Sequence, residues 1–127
     1  MSEVVVDASA LLALLNAEPG SDMVAEAISE AVISTVNLSE VIAKLCAAGM
    51  PENAIRQILQ PIGLDIEPFD TEQAYQAGLL HVSTQGMGLS LGDRACLSLA
   101  KMLGVVALTA DRKWEKLPVG VAVKVIR

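Results

Sequence analysis

Short runs of apolar and β-branched residues alternate along the chain with longer segments in which apolar residues repeat at helical spacing. The short runs have the length and character of buried strands and cover residues 4–6, 31–35, 64–66, 105–108 and 121–126. Between them, apolar residues recur at i, i+3, i+4 and i+7, as at Leu38, Val41, Ile42 and Leu45. The pattern predicts five short strands in alternation with one or two helices.

Residues that break regular structure mark the ends of these helices. Pro19 lies in the turn between the first two helices, Gly49 ends the third, and Pro51 opens the fourth. Asp70 or the next residue caps the fifth helix, and a glycine-rich loop at residues 86–88 precedes the sixth.

Alternation of strands and helices predicts an α/β protein. Parallel strands need crossover connections, and the helices in those connections cover both faces of the sheet. The expected fold is therefore a three-layer α/β/α arrangement around a parallel sheet of about five strands. In such sheets, ligands bind beyond the carboxyl ends of the strands.

The composition narrows the class of protein. Of 127 residues, 53% are hydrophobic and 19% are charged, as expected for one domain over residues 1–127 whose core needs no disulfide or structural metal. Cys46 and Cys96 fall on apolar helical stripes and are expected to be reduced core residues. The sequence has no signal-peptide pattern and no uncharged apolar run of about 18 residues, which predicts a cytoplasmic protein without a membrane segment.

Charge is unevenly distributed along the chain. The net charge of −6 argues against a general polyanion binder. However, residues 1–92 contain two basic and twelve acidic groups, whereas residues 93–127 contain seven basic and three acidic groups. The C-terminal third is thus locally positive. These charges are either solvated surface residues or part of a site that binds an anion. Only three aromatic residues are present, so a platform for stacked bases is not expected.

Four carboxylates occupy the ends of predicted elements. Asp7 directly follows the first strand and Asp111 lies just beyond the fourth, so both are expected at strand carboxyl ends. Glu40 and Asp93 occur in matching contexts, Asn-Leu-Ser-Glu and Ser-Leu-Gly-Asp, which predicts that each is the third residue of its helix. First helical turns and strand carboxyl ends can face the same rim, so all four acids can meet in one cleft.

Each acid also has a purely structural interpretation. Asn or Ser followed three residues later by Glu or Asp is a capping-box pattern, and the helix dipole stabilises the acid. Asp in a strand-to-helix turn commonly accepts hydrogen bonds from nearby backbone N–H groups. Together, however, four carboxylates in one cleft would repel each other unless a positive group lies among them.

A hard divalent cation such as Mg²⁺ suits an oxygen-only set of ligands, and it lowers the pKa of a bound water. His81, the single histidine, is expected to be a surface residue rather than a catalytic base. Beside such a pocket, a positive rim would hold a polyanion, formed by Arg94, Arg112, Lys113 and Lys116.

These residues resemble, in order, the motifs of PIN-domain ribonucleases, most closely the VapC-like toxins of bacterial type II toxin–antitoxin modules. The similarity rests on residues 6–9, 38–41, 89–96 and 108–114 and extends over the whole chain. It implies an endoribonuclease that depends on Mg²⁺ or Mn²⁺ and has an acidic tetrad of Asp7, Glu40, Asp93 and Asp111. Asp7 and Asp93 would be the principal metal ligands, while Glu40 and Asp111 would bind directly or through water.

The resemblance also suggests contacts with RNA and with proteins. Ser9 and Thr109 match polar positions near the site, although turn hydrogen bonding explains them equally well. Trp114 would either line the RNA path or cover the core. Family members usually form homodimers and are inhibited by a cognate antitoxin whose C-terminal segment occupies the active-site groove.

Three other functions fit parts of the pattern. A solitary PIN-domain nuclease for RNA processing would carry the same four acids. A phospho-accepting receiver domain has a similar size and an acidic metal pocket, but Asp65 and Lys124 lie within predicted strands rather than in the loops that it requires. A catalytically silent binding module would keep the acids for structure alone.

Overall fold

The computed structural model describes residues 3–127 as a five-stranded sheet flanked by helices. The strands are β1 (Val4–Val6), β2 (Ala31–Ser34), β3 (Asp65–Glu67), β4 (Val106–Thr109) and β5 (Val123–Val125). The helices are α1 (Ala8–Leu15), α2 (Ser21–Ala27), α3 (Thr35–Ala47), α4 (Glu52–Leu59), α5 (Thr71–Ser83) and α6 (Leu91–Leu103). Short 3₁₀ helices cover Ile28–Glu30, Gln60–Ile62 and Arg112–Lys116.

The sheet is parallel throughout, in the order β3-β2-β1-β4-β5. The chain begins in its centre, where Val5 of β1 lies opposite Val32 of β2 and Ala107 of β4. The first connections build the sheet outward on one side of β1 and the later ones on the other. The order in which strands are added therefore reverses between β1 and β4, although all strands run in the same direction. Sheets of this kind bind their ligands at the carboxyl ends of the strands next to such a reversal.

Different helices cover the two faces of the sheet, which confirms the predicted three-layer α/β/α arrangement. Val6, Ile33 and Leu108 enter a core shared with α1, α2 and α3. Val5 and Val32, which point to the opposite face, enter a second core shared with α5 and α6. Burial on both faces explains why β1 and β2 are continuous apolar runs rather than alternating ones.

The outer strands differ slightly from their predicted bounds. β3 is shifted by one residue relative to 64–66, because its three residues pair with residues 32–34 of β2. β5 is shorter than 121–126, because only Val123–Val125 pair with β4. Pairing with a neighbour, rather than apolar content, sets the length of an edge strand.

The prediction for one cysteine is wrong. Cys96 is buried, as expected, but Cys46 is exposed because the buried side of α3 carries Val41 and Leu45 instead. Within residues 3–127, none of the helices is long and apolar enough to cross a membrane.

Candidate active site

Asp7 lies at the carboxyl end of β1 and caps α1. Its Oδ1 accepts hydrogen bonds from the Ala10 backbone N–H (2.8 Å) and the Ser9 hydroxyl (2.7 Å), and its Oδ2 accepts one from the Thr109 hydroxyl (2.7 Å). Asp7 is buried, with 5% of its surface exposed. Burial raises the pKa of the Asp7 carboxyl above its ordinary value, these three hydrogen bonds oppose the rise, and the charge of Asp93 adds to it.

Ser9 and Thr109 connect this carboxylate to the end of β4. The Ser9 hydroxyl oxygen accepts a hydrogen bond from the Ala110 N–H (2.9 Å), and the Thr109 hydroxyl oxygen accepts one from the Asp111 N–H (3.0 Å). Both hydroxyls therefore bond to the turn backbone and to Asp7 at once. The turn interpretation is confirmed, and the same bonds hold the Asp7 carboxylate in place.

Asp111 is the N-cap of the 3₁₀ helix that follows β4. Its Oδ1 accepts a hydrogen bond from the Lys113 N–H (3.0 Å), so it has the turn role that its sequence position allowed. Arg112 and Lys113 are exposed on the same 3₁₀ helix, and Arg112 Nε donates to the Arg127 carbonyl (3.0 Å). These two cations lie next in sequence to an acid at the strand end, as the sequence suggested.

Asp93 is the third residue of α6, as predicted. The Ser90 hydroxyl oxygen accepts from the Asp93 N–H (3.1 Å), and Asp93 Oδ2 accepts from the Ser90 N–H (3.0 Å), which completes a capping box. The cap leaves Asp93 Oδ1 without a role in that box, and it fixes the carboxylate at the start of the helix.

The expected position of Glu40 is wrong. Glu40 is the sixth residue of α3 rather than the third, because the helix starts at Thr35 and its N-cap is Ser34, whose hydroxyl oxygen accepts from the Val36 N–H (3.2 Å). Asn37, the expected cap, instead donates from Nδ2 to Glu40 Oε1 (2.9 Å) and to the Gly92 carbonyl (3.0 Å). Sequence reasoning missed this role of Asn37. The local sign that α3 could begin before Asn37 was the Ser34-Thr35 pair at the end of β2, because Ser34 is of another residue type that caps helices.

Three of the four acids are near enough for their charges to act on the buried thiol of Cys96. Burial raises the pKa of this thiol well above its usual value, and the charges of Asp7, Asp93 and Glu40 raise it further. Asp111 is connected to the same region through Thr109, which bonds to both its backbone and the Asp7 carboxylate. The structure therefore brings acids from β1, α3 and α6 to one end of the sheet.

This arrangement is looser than a finished set of metal ligands. Within residues 3–127, no three His, Cys, Asp or Glu side chains lie close enough to hold a metal ion together. Direct ligation by all four acids is thus not present in this arrangement of side chains. Mg²⁺, however, retains several waters and needs only one or two carboxylates. The buried Asp7 carboxyl, whose pKa the charge of Asp93 also raises, is a group whose charge a hydrated hard cation would compensate.

Shallow grooves adjoin these acids. One of about 550 Å³ is lined by Glu40, Ser90 and Gly92, between the first turns of α3 and α6. Another of about 400 Å³ extends from Ser9 past Lys44 to Arg127. A larger groove of about 620 Å³ contains Lys101, near the amino ends of the strands, and none of the predicted site residues lines it.

Two residues expected to contact RNA have other surroundings. Trp114 is 1% exposed and packs in the core beside α6, so the core interpretation is correct and its ring is not available to line an RNA path. Arg94 Nη1 donates to the Ala77 carbonyl of α5 (3.1 Å), so its guanidinium joins two helices instead of standing free on the rim. His81 is exposed at the end of α5, as expected.

The family model described as the PIN domain matches residues 4–120. The chain belongs to the PIN-domain family. The expected resemblance to PIN domains is confirmed, and the strand order excludes the receiver alternative, since receiver domains place β3 beside β1. No curated protein sequence is detectably similar to this PIN domain.

Solved structures similar to this PIN domain include toxin–antitoxin proteins. DNA-bound VapBC from Salmonella typhimurium is 20% identical with a TM-score of 0.79, and the match covers 100% of both chains. A toxin–antitoxin complex from Klebsiella pneumoniae is 17% identical with a TM-score of 0.76 over 98% of both chains. Mycobacterium tuberculosis VapC20, described as a Sarcin-Ricin loop cleaving toxin, is 18% identical with a TM-score of 0.72 over 91% of this chain and 95% of that one. At these identities the likeness shows a shared fold.

Proposed function

We propose that this PIN domain is an endoribonuclease that depends on Mg²⁺ or Mn²⁺ and hydrolyses RNA phosphodiesters. The observation that carries the proposal is the position of three acids at one end of the sheet. Asp7 bonds to Thr109 at the end of β4, Asp93 caps α6, and the Asn37 amide joins Glu40 to the first turn of α6. A buried carboxylate such as that of Asp7, with further acids near it, is tolerated when a cation compensates its charge. An oxygen-only set of this kind favours a hard divalent ion.

In this proposal, Asp7 and Asp93 hold the ion, and Glu40 and Asp111 contact it directly or through its waters. The bound ion would supply a water of lowered pKa and stabilise charge on the phosphate. Ser9 and Thr109 orient the Asp7 carboxylate through their hydroxyls. The capping box orients Asp93.

RNA would lie across the rim formed by the 3₁₀ helix after β4. Arg112 and Lys113 are exposed there and would contact the phosphate backbone. Since Trp114 is buried, the rim offers no aromatic ring from that position for base stacking. Backbone and shape contacts are therefore the expected mode of recognition.

We infer further that the protein is the toxin of a type II toxin–antitoxin pair, acting in the cytoplasm as a homodimer and inhibited by a cognate antitoxin. Similar folds in VapBC and other toxin–antitoxin structures support this role over that of a solitary PIN nuclease. Exposed apolar side chains on α5, including Tyr75, Leu79 and Val82, support an interface between two copies.

The test is cleavage of a structured RNA by the purified protein with Mg²⁺, beside Asp7→Asn and Asp93→Asn. We expect cleavage by the wild type that a chelator abolishes and that falls at least about 100-fold in either variant, as for the loss of an essential electrostatic group. Lys101→Gln, at the opposite end of the sheet, is the control and should cleave normally. Equal trace activity in all samples would instead favour a catalytically silent binding module.

A further inference from the structure

The Glu40 carboxylate is held in place by residues of two helices. Asn37, one turn earlier on α3, donates from Nδ2 to Glu40 Oε1 (2.9 Å). The same Nδ2 donates to the backbone carbonyl of Gly92 in the first turn of α6 (3.0 Å). One amide nitrogen therefore joins the carboxylate on α3 to the turn that carries Asp93.

Gly92 lies against the Glu40 carboxylate in the first turn of α6. A Cβ built on Gly92 would overlap both carboxylate oxygens of Glu40. Only glycine leaves room for the Glu40 carboxylate against the first turn of α6. In this arrangement the Glu40 carboxylate occupies the space that a side chain at position 92 would take, so a larger residue there would displace it.

The contact between Asn37 and Glu40 places a polar amide in a buried position. Asn37 is 1% exposed, and its buried Oδ1 has no hydrogen-bond partner among residues 3–127. A buried amide with an unsatisfied oxygen costs free energy unless its other bonds, or its position, compensate. A residue whose task was only to fill space in α3 would be apolar at this site.

We propose that Asn37 and Gly92 are positioning residues that hold the Glu40 carboxylate beside Asp93, so that the two acids act on one ion. The inference rests on the proposed metal-dependent function. It adds that the contact between α3 and α6, rather than α3 alone, determines where Glu40 points. Neither residue would touch the ion or the RNA.

The contact itself is tested in metal-free protein by NMR. We expect the Asn37 side-chain NH₂ resonances, assigned by their loss in Asn37→Ala, to shift clearly on Glu40→Ala. The matched control is Asp70→Ala, which removes a carboxylate from the distant cap of α5 and should leave them unchanged. Unchanged Asn37 resonances in Glu40→Ala would overturn the contact, whatever the protein's activity.

The positioning role is tested by Mn²⁺ affinity, measured by electron paramagnetic resonance without RNA. We expect Asn37→Ala and Gly92→Ala each to weaken Mn²⁺ binding by about 10- to 100-fold, a typical range for residues that support a metal ligand. Gly78→Ala on α5, where a Cβ meets nothing within 4 Å, controls for a Gly→Ala change in a helix.

A double-mutant cycle separates positioning from general damage. Glu40→Asp withdraws the carboxylate by one methylene, so it removes the overlap with a Cβ at position 92. Gly92→Ala should then weaken Mn²⁺ binding much less in the Glu40→Asp protein than in the wild type. Equal losses in both backgrounds would overturn the proposal.

The outcomes also separate this inference from the proposed function. If the wild type neither binds Mn²⁺ nor cleaves RNA, the proposed function fails, and with it the idea that Glu40 and Asp93 act on one ion. If the wild type binds Mn²⁺ and cleaves RNA but the cycle is additive, the function stands and the positioning role is wrong. In the cleavage assay, a positioning loss should lower kcat while KM for RNA stays the same, because RNA contacts lie elsewhere.

Discussion

At the scale of single residues, the structural role of Asp7 suits the chemical role proposed for it. Its carboxylate caps α1 and accepts three hydrogen bonds, yet burial still raises its pKa. The bonds orient the charge without fully compensating the loss of water around it. The capping and metal-binding interpretations are therefore compatible, since a cap fixes the direction of the oxygens that would face a cation.

Replacing Asp7 should reveal this burial cost. In protein freed of metal by a chelator, we expect Asp7→Asn to raise the free energy of unfolding at pH 7 on the order of 1 kcal/mol, the usual size of a single-residue effect. Asn removes the buried charge and keeps an oxygen for the Ala10 N–H. Urea unfolding at several pH values measures the difference.

The pH dependence has a definite sign. The folded pKa of Asp7 lies above the ordinary value of 3.8, so folded wild type binds more protons than unfolded wild type between these values. Wild-type stability relative to Asp7→Asn therefore falls as pH rises through that window, and the gain from the substitution vanishes below pH 3.8. Asp7→Ala, which also loses the cap, should be less stable than Asp7→Asn. A gain that stayed constant down to acid pH would contradict this explanation.

At the scale of elements, the C-terminal strand is attached to the turn before α2. Arg127 Nη1 pairs with Glu18 Oε1 (3.1 Å), and Ile126 is buried against the same turn. Gly20 permits the approach: its φ is +95°, and a Cβ there would lie 2.6 Å from the Ile126 carbonyl oxygen. This contact joins the last residues of the chain to the first helical hairpin.

Two glycines with nearly the same backbone conformation allow a matched test of this contact. Gly20→Ala should cost about 1–2 kcal/mol for the left-handed conformation, and a further cost of about 1–3 kcal/mol for crowding Ile126. Gly49→Ala, with φ +96° and open space around its Cβ, should show only the first cost. Urea unfolding of both variants measures the difference, and equal losses would show that Ile126 moves aside freely.

The bounds of a helix were predicted well where its capping residues are close in sequence, and less well where a contact with another element determines which residue is the cap. The cap of α6 follows from Ser90 and Asp93, because both partners lie within one turn. The start of α3 was predicted three residues late, since two possible caps, Ser34 and Asn37, are three residues apart. Only contact with Gly92 shows why Asn37 takes the other role.

At the scale of the whole molecule, the positions of the charges matter more than the net charge. The net charge is −6, yet Arg112, Lys113 and Lys116 are exposed on one 3₁₀ helix beside Asp111. Acids at the strand ends would be neutralised in part by a bound cation. A chain that is acidic on average can thus present a positive rim to RNA.

Binding of RNA should show this rim through its salt dependence. In the Asp93→Asn background, which we expect to bind without cleaving, Lys113→Gln and Lys116→Gln should each weaken binding and reduce the slope of log affinity against log salt by about 0.7, the value for one phosphate contact with single-stranded nucleic acid. Lys101→Gln, near the amino ends of the strands, should change neither quantity. Fluorescence anisotropy at several salt concentrations tests this, and equal effects of all three variants would argue against a localised rim.

The sequence by itself determined the layers of this protein, the parallel sheet and the placement of Asp7, Asp93 and Asp111 at element ends. Hydrophobic periodicity, caps and strand ends are local patterns, so they can be recognised without knowing what packs against them. Tertiary structure alone decided that Glu40 sits against Gly92, that Arg94 joins α5 and that Trp114 is buried. Each of these depends on a partner distant in sequence, and no pattern within one element specifies which partner will lie beside it.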